Sequence, residues 1–225
     1  MLSERFEGVL GLASRFATQG NEAMLERQQE LKLAQSEVST WLAEAGPFAV
    51  ELRMKSGGRQ SQFAPVPWLR VYSPLHSPRT TQGFYLVYLF AADGHALFLS
   101  LNQGTSEFRS GKWRPILDPA QIESLSAQAR ERLKSWGSEL HPDSRRKLDL
   151  RPSTQDVGPE SIRRAMNYEF GNVYALSYPR DSMPEDVQLR EDLLSFVPLL
   201  EEMTARPTQL APTPRKPAKR APNCD

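Results

Sequence analysis

The sequence predicts an α+β fold: a mixed, mainly antiparallel sheet with a central hairpin at about residues 84–102, flanked by helices. Two apolar runs, 84–91 and 96–102, enclose Ala92-Asp93-Gly94-His95. An Asp-Gly pair between apolar runs is a strong hairpin signal, because both central residues of the expected turn take positive φ. Neither run alternates cleanly with polar residues, so we expect both faces of the hairpin to be covered.

The N-terminal segment supplies part of that cover. Apolar residues recur at helical spacing through the first 45 residues, with a break at Gly20-Asn21 and a stop at Gly46-Pro47. Residues 48–55 then alternate between apolar and polar side chains, which predicts a half-buried strand.

The C-terminal half contains further helix and strand signals. Pro198 is expected to kink the last helix or to mark its final turns. The predicted elements outside the hairpin are a short strand at 67–72, a helix from Asp118-Pro119 to about Trp136 with Gly137 as its stop, a polar loop at 138–158, a short helix at 159–168, a strand at 173–178, and a last helix after the capping-box spacing of Ser182 and Glu185.

The composition indicates three parts: a helical extension at 1–29, a main domain at 30–206 and a disordered, basic, Pro-rich tail at 207–225. Cys224 is the single cysteine, which fits a reducing cytoplasm. The N-terminus lacks the pattern of a secretory signal, and the longest apolar run is too short to span a bilayer. The sequence thus predicts a cytoplasmic protein with no membrane partner.

The charge is unevenly distributed along the chain. Net charge is +1 overall, but residues 53–114 carry eight basic and two acidic side chains, a net charge of +6. Residues 1–52 carry four basic and eight acidic side chains. Such a basic island suggests a surface that faces a polyanion, although the cations could also be scattered over different faces of the fold.

Motifs for catalysis are missing. His76, His95 and His141 lie far apart, without a second ligand at zinc-binding spacing. Glu30-Leu31-Lys32 resembles the end of a nuclease motif but falls within a helix. Residues 104–112 resemble a phosphate-binding loop with the wrong glycine spacing, and Trp113 stands where a Ser or Thr is needed. We therefore predict no catalytic residue, no metal and no cofactor.

Aromatic and basic residues remain as candidates for binding. Proteins that bind unpaired or extruded bases use flat apolar side chains for stacking and cations for the phosphates. Tyr88 and Phe90 are typical of core, whereas Trp68 and Tyr85, near the starts of their strands, fit either core or a cavity. The candidate backbone contacts are Arg53, Lys55, Arg59, Arg109 and Lys112.

Several segments, in order and spacing, resemble the MrcB-like N-terminal domain, the recognition domain of McrB-type modification-dependent restriction systems. The resemblance covers roughly residues 30–204. The segments are Pro65-Val66-Pro67-Trp68-Leu69, 83–90 (GFYLVYLF), 99–104 (LSLNQG), 168–173 (YEFGNV), Met183-Pro184-Glu185, and Leu189 through Asp192-Leu193-Leu194.

The resemblance implies a non-catalytic module that binds DNA, with a pocket for a modified, possibly methylated, flipped base in restriction or phage defence. The pocket positions correspond to Trp68, Tyr85, Leu89 and Gln60, and Gln60 replaces a tyrosine of the family. A nuclease or NTPase effector would then be a separate protein. Two alternatives stay open: a protein–protein adaptor with a basic surface, and a nuclease whose site is not recognised.

Overall fold

A computed structural model describes residues 1–17, 20–57, 63–137, 140–151 and 159–205. Within these ranges the chain forms six α-helices, a five-stranded sheet and a two-stranded sheet, so the predicted α+β class is confirmed. The elements are α1 (Leu2–Gly11), α2 (Glu22–Ala43), α3 (Pro47–Glu51), β1 (Arg53–Ser56), β2 (Trp68–Tyr72), β3 (Phe84–Phe90), β4 (Ala96–Gln103), β5 (Ser106–Arg109), β6 (Lys112–Pro115), α4 (Pro119–Ser135), α5 (Pro159–Gly171), β7 (Asn172–Pro179) and α6 (Asp186–Ala205).

The large sheet has the order β1-β2-β3-β4-β7, and every neighbouring pair of strands is antiparallel. The predicted hairpin forms β3 and β4, in which every residue is buried. The hairpin is therefore central and covered on both faces, as its continuous apolar runs predicted.

The turn of this hairpin differs from the prediction. Gly94 has a φ of 77°, but Asp93 lies outside the positive-φ region, so the expectation that both residues take positive φ is wrong. The Asp93 carboxylate accepts a hydrogen bond from the His95 amide at 3.1 Å, a local contact that stabilises a turn at ordinary φ. The Gly94 amide donates to the Ala91 carbonyl at 3.0 Å and closes the four-residue turn 91–94.

The two faces of the sheet have different covers. Helices α1, α2, α4 and α6 pack on the first face and form the larger core, in which the rings of Phe6 and Tyr88 lie 4.9 Å apart. The segment around Leu148 and Leu150 and helix α5 cover the second face with a smaller apolar cluster. Because side chains alternate along a strand, successive residues of β3 belong to different cores.

Residues 48–55 do not form the predicted strand. Gly46 has a φ of 107°, and Pro47 then opens the short helix α3, a position where its missing amide costs nothing. The strand begins only at Arg53, and Val50, predicted to face the core, is 54% exposed. A short helix followed by a strand thus gives the same alternation of apolar and polar residues as one continuous strand.

The N-terminal helices share the core of the sheet. Leu2 and Phe6 are fully buried there, and α2 runs across the predicted boundary between residues 29 and 30. The division of the chain into three parts stays a prediction, and the tail at 207–225 lies outside the described residues. Within the described part, no helix has the length and apolar character needed to cross a membrane.

Asp186 connects the last helix, α6, to the first helix, α1. Its carboxylate accepts hydrogen bonds from the Leu2 and Ser3 amides, each at 2.9 Å, and from the Ser3 hydroxyl at 2.9 Å. The first residue of α6 therefore caps the N-terminus of α1. Burial acts to raise the pKa of Asp186, but the hydrogen bonds from Ser3 and Leu2 outweigh it and lower that pKa below its ordinary value.

Asp186→Ala is expected to lower the free energy of unfolding by about 1–2 kcal/mol at pH 7, the usual cost of losing such a cap. Because the pKa is lower in the folded state, this stabilisation is present above the ordinary value of 3.8 and is lost as the pH falls through the folded pKa. Urea unfolding at pH 7 and pH 3 measures both effects, with the exposed neighbour Glu185→Ala as control. A loss that is unchanged at low pH contradicts the capping role.

Candidate nucleic-acid interface

The second face of the sheet brings several aromatic side chains together on β2 and β3. Trp68, Arg70 and Tyr72 alternate along β2 and therefore project from one face. Trp68 is the cross-strand partner of Leu89, and Arg70 is the partner of Val87. We call the surface formed by Trp68, Arg70, Tyr72, Tyr85 and Leu89 the candidate face.

The structure separates the predicted pocket residues into two groups. Trp68 is half-buried and lies directly beside Leu89, which is fully buried. Tyr85 is four residues from Leu89 along β3, a distance of about 13 Å, and only 2% of it is exposed. Gln60 lies outside the described residues. Trp68 and Leu89 thus adjoin, whereas Tyr85 lies farther along the same face.

Arg70 fills the space between these groups. It is 2% exposed, and its guanidinium carbon lies 4.1 Å from the ring centre of Tyr72 and 4.6 Å from that of Tyr85. Its Nη2 donates to the carbonyl and the hydroxyl of Ser77. Among the described residues, its buried Nε has no hydrogen-bond partner. The sequence analysis counted Arg70 only as part of the basic island.

Burial determines the ionisation of this face. Desolvation lowers the pKa of Arg70, and the nearby Tyr85 and Tyr72 partly oppose that shift. Desolvation also raises the pKa of Tyr85 and raises that of Tyr168, a half-buried residue of α5, to about 12. Both phenols therefore stay neutral at physiological pH and can act as hydrogen-bonding groups, while Arg70 supplies a positive charge.

The cover of the candidate face is held by backbone contacts. The Arg145 and Ala175 backbones exchange hydrogen bonds at 2.7 and 2.9 Å, which attaches this segment to β7. The Ala92 amide donates to the Leu150 carbonyl at 2.8 Å, and the Leu150 amide donates to Glu169 of α5 at 2.8 Å. Tyr85 and Leu89 are enclosed by this arrangement, so a ligand reaches them only if the cover moves.

Helix α2 holds the chain segment that precedes Trp68. Arg27 is 3% exposed, and its Nη2 donates to the Ala64 carbonyl at 2.9 Å, which fixes the segment that leads into β2. Burial lowers the pKa of Arg27 to about 10. Gly57 packs directly against the Trp68 indole, since a Cβ added there would lie 2.2 Å from the ring. A side chain at position 57 would displace Trp68.

The predicted backbone-contact residues lie at two places. Arg53 and Lys55 are exposed on β1, where their partners are Tyr72 and Arg70, so they border the candidate face. Arg109 and Lys112 are paired at the end of the β5–β6 hairpin, and Lys112 is exposed. Arg59 lies outside the described residues.

A second group of exposed cations, which was not predicted from the sequence, lies on the cover itself. Leu148 and Ala165 pack in the smaller apolar cluster. The basic side chains just before them, at 145–147 and 163–164, are exposed. The cations in this group are Arg145, Arg146, Lys147, Arg163 and Arg164. Their clusters of two and three adjacent basic residues were visible in the sequence but lay in a segment of net negative charge.

The polar residues of the 99–104 motif stabilise the fold. Asn102 is fully buried and donates to the Tyr168 carbonyl at 2.8 Å, which attaches α5 to β4. Gln103 donates to the Ile122 carbonyl and the Ser126 hydroxyl at 2.9 and 2.8 Å. Gly104 lies against the backbone, where an added Cβ would be 2.2 Å from the Gln82 amide nitrogen. Contacts within the fold thus account for these residues of the motif.

In the ranges that the structure covers, no group of three or more His, Cys, Asp or Glu side chains is placed to hold a metal ion. The segment at 104–112, which resembles a phosphate-binding loop, forms most of the β5–β6 hairpin.

The comparisons with known proteins identify the family. No curated protein and no solved structure matches the chain. The family model described as "MrcB-like, N-terminal domain" matches residues 12–205, from the end of α1 to the end of α6. The match covers most of the chain and includes the whole sheet, but it leaves out α1. The chain therefore belongs to the MrcB-like N-terminal domain family.

Proposed function

We propose that this protein is a non-catalytic DNA-binding module that recognises a modified base, in the manner that its family suggests. The observation that carries the proposal is the candidate face, where a half-buried indole and a buried guanidinium lie on one side of a sheet within this family's domain. Flat side chains stack on an extruded base, and a buried cation provides hydrogen bonds that a neutral apolar pocket lacks.

In this proposal the cover of the candidate face moves, and the extruded base enters beside Trp68 and Leu89. Extrusion costs a few kcal/mol, which stacking and phosphate contacts offset. The Nε of Arg70 offers a hydrogen bond to a carbonyl oxygen of the base. Tyr85 supports Arg70 from the far side, at 4.6 Å, and so shapes the pocket without stacking on the base. Gln60 contributes a polar side chain where the family has a tyrosine.

Cations on both sides of the candidate face hold the DNA backbone. Arg53 and Lys55 lie on β1 at one edge, and the basic group at 145–147 and 163–164 lies on the cover. Arg59 follows β1 in the sequence and is proposed as a further contact. Lys and Arg bind phosphates irrespective of base sequence, and this contribution falls steeply as salt is added. The pocket then determines the preference for a modified base, and the cations on both sides of the candidate face determine the general affinity for DNA.

The module acts together with an effector. A nuclease or NTPase in a separate protein would convert recognition into restriction, and the domain could also protect DNA by occupancy alone. A cytoplasmic location follows from this role.

Fluorescence anisotropy at two salt concentrations tests the proposed function. Matched duplexes would carry cytosine, 5-methylcytosine, 5-hydroxymethylcytosine, N4-methylcytosine or N6-methyladenine, and one probe would be single-stranded. Tighter binding to one modified duplex supports the proposal. Absence of binding to every duplex at low salt refutes it and favours a protein–protein adaptor. Metal-dependent cleavage of any duplex would instead indicate a nuclease.

Lys55→Ser and Arg59→Ser are each expected to weaken binding to modified and unmodified duplexes alike. Each lost phosphate contact should reduce the slope of log K against log salt by about 0.9. The exposed Lys32→Ser, on α2 in the opposite layer, is the matched control and should leave the slope unchanged. A slope that is unchanged in the Lys55 and Arg59 variants removes both residues from the phosphate contacts.

A further inference from the structure

The β5–β6 hairpin is a short ribbon outside the main sheet. Its strands pair from Ser106 opposite Pro115 to Arg109 opposite Lys112, with a two-residue turn between them. Ser110 and Gly111 have φ values of 49° and 75°, so both turn residues lie in the positive-φ region that suits the twist of a two-residue hairpin. Strands of four residues give the ribbon a length of about 13 Å.

The base of the ribbon is fixed to the domain. The Ser106 amide donates to the Thr81 carbonyl at 2.9 Å, and the Ile116 amide donates to the Thr105 carbonyl at 2.8 Å. Gln121 of α4 donates to the Glu107 carboxylate at 3.2 Å. Just before the ribbon, the Gly104 amide donates to the Gly83 carbonyl at 2.7 Å, two residues from Tyr85. The ribbon therefore leaves the fold at the Tyr85 end of the candidate face.

The exposed side chains of the ribbon combine charge with an aromatic ring. Lys112 and Arg114 are both exposed and, two residues apart on β6, lie on one face of the ribbon. Phe108 is 62% exposed, and its partner position in the register is 113, so it lies on the other face. The exposed cations and the largely exposed ring therefore lie together on one short hairpin, and the positive charge suits a negatively charged partner.

We infer that the β5–β6 hairpin enters the major groove of the same DNA duplex to one side of the recognised base, with Lys112 and Arg114 on the phosphates and Phe108 against thymine methyl groups. The inference rests on the proposed function and adds a second contact to it. The major groove is about 12 Å wide and admits a two-stranded ribbon, and an apolar side chain in it meets the 5-methyl group of thymine. The occupant is duplex DNA because the ribbon bears cations on one face and a flat ring on the other.

Salt titrations separate this contact from the pocket. The double variant Lys112→Ser/Arg114→Ser should reduce the slope of log K against log salt by about 1.8 on every duplex, and it should leave the preference for the modified base unchanged. The matched control is Arg15→Ser/Lys32→Ser, two exposed cations next to or on α2. An unchanged slope in the hairpin variant overturns the inference.

Base substitution tests the role of Phe108. Replacing thymine by uracil next to the recognised base removes the methyl groups and should weaken binding of the unaltered protein about fourfold, the effect of burying one such group. Phe108→Ser should itself weaken binding and then be insensitive to the replacement. Equal sensitivity of both proteins to uracil overturns the contact with the methyl group.

Photocrosslinking locates the hairpin directly. Phe108→p-benzoylphenylalanine should crosslink to duplex DNA, whereas the same residue at Val187, which is 67% exposed on α6, should not. If the unaltered protein binds duplex and position 108 does not crosslink, the inference fails while the proposed function stands. If the unaltered protein binds no duplex, the proposed function fails first.

Discussion

Arg70→Ala is expected to lower the free energy of unfolding by about 3–4 kcal/mol. The substitution removes two cation–π contacts, each worth roughly 0.5–2 kcal/mol, and the hydrogen bonds to Ser77. It also leaves a cavity, because Arg70 is among the largest fully buried side chains of the protein. Urea unfolding monitored by circular dichroism measures the loss.

Two further substitutions at this position separate shape from charge. Arg70→Lys keeps the charge but loses the planar fork, so it should also destabilise the protein, by about 2 kcal/mol. Arg70→Met keeps most of the volume and removes the cost of burying a charge, so it should be the mildest of the three. A loss below about 1 kcal/mol for Arg70→Ala would show that neighbouring side chains fill its space and that it does not organise the candidate face.

Binding measured with Arg70→Met tests whether the guanidinium takes part in recognition or only in packing. A protein that is nearly as stable as the unaltered chain but binds the modified duplex at least tenfold more weakly would place the guanidinium in recognition. A protein that keeps both stability and affinity would assign Arg70 to packing alone. The first result is the expected one, because the buried cation reduces stability through its desolvation and has no carboxylate partner in the described residues to offset it.

Trp68→Ala is expected to weaken binding to the preferred modified duplex by about 10–100-fold, in line with the 1–3 kcal/mol that stacking of a base on an aromatic side chain contributes. Binding to the unmodified duplex should fall by less than about threefold, since phosphate contacts dominate nonspecific affinity. The reason lies in the position of Trp68, which is half-buried in the candidate face and adjoins Leu89.

The matched control for Trp68 is Trp41→Ala. Trp41 lies on α2 and is also half-buried, but it packs against the core on the other face of the sheet. Both variants lose an indole of similar burial, so a difference between them in binding comes from the place of the residue and not from general destabilisation. Equal losses of Trp68→Ala on modified and unmodified duplexes would assign Trp68 to general affinity or to the fold.

Local patterns were sufficient where one segment determines its own structure. The apolar runs on either side of Asp93-Gly94 predicted β3 and β4, and Asp118-Pro119 with Gly137 predicted the bounds of α4 closely. The alternation at 48–55 misled, because the positive φ of Gly46 and a proline at the first helical position start α3 before β1. The β5–β6 hairpin was not predicted, since its strands are too short for periodicity.

The candidate site depended far more on tertiary structure. Charge counting put Arg70 in a basic island, yet the fold buries it between Tyr72 and Tyr85, and it contributes nothing to the surface. The resemblance named Trp68, Tyr85 and Leu89 together, but only the register of β2 on β3 shows that Trp68 adjoins Leu89 and that Tyr85 lies about 13 Å away.

The sequence by itself determined the α+β class, the central hairpin, most helix bounds and, through its ordered motifs, the family. These properties follow from interactions between residues near one another in the chain, or from a pattern shared with relatives. The tertiary structure decided which side chains share a face, which cations are exposed, and that Asp186 caps a helix 183 residues earlier in the chain. Those outcomes depend on strand register and packing between distant segments, where a shift of one residue would turn every side chain of a strand to the other face.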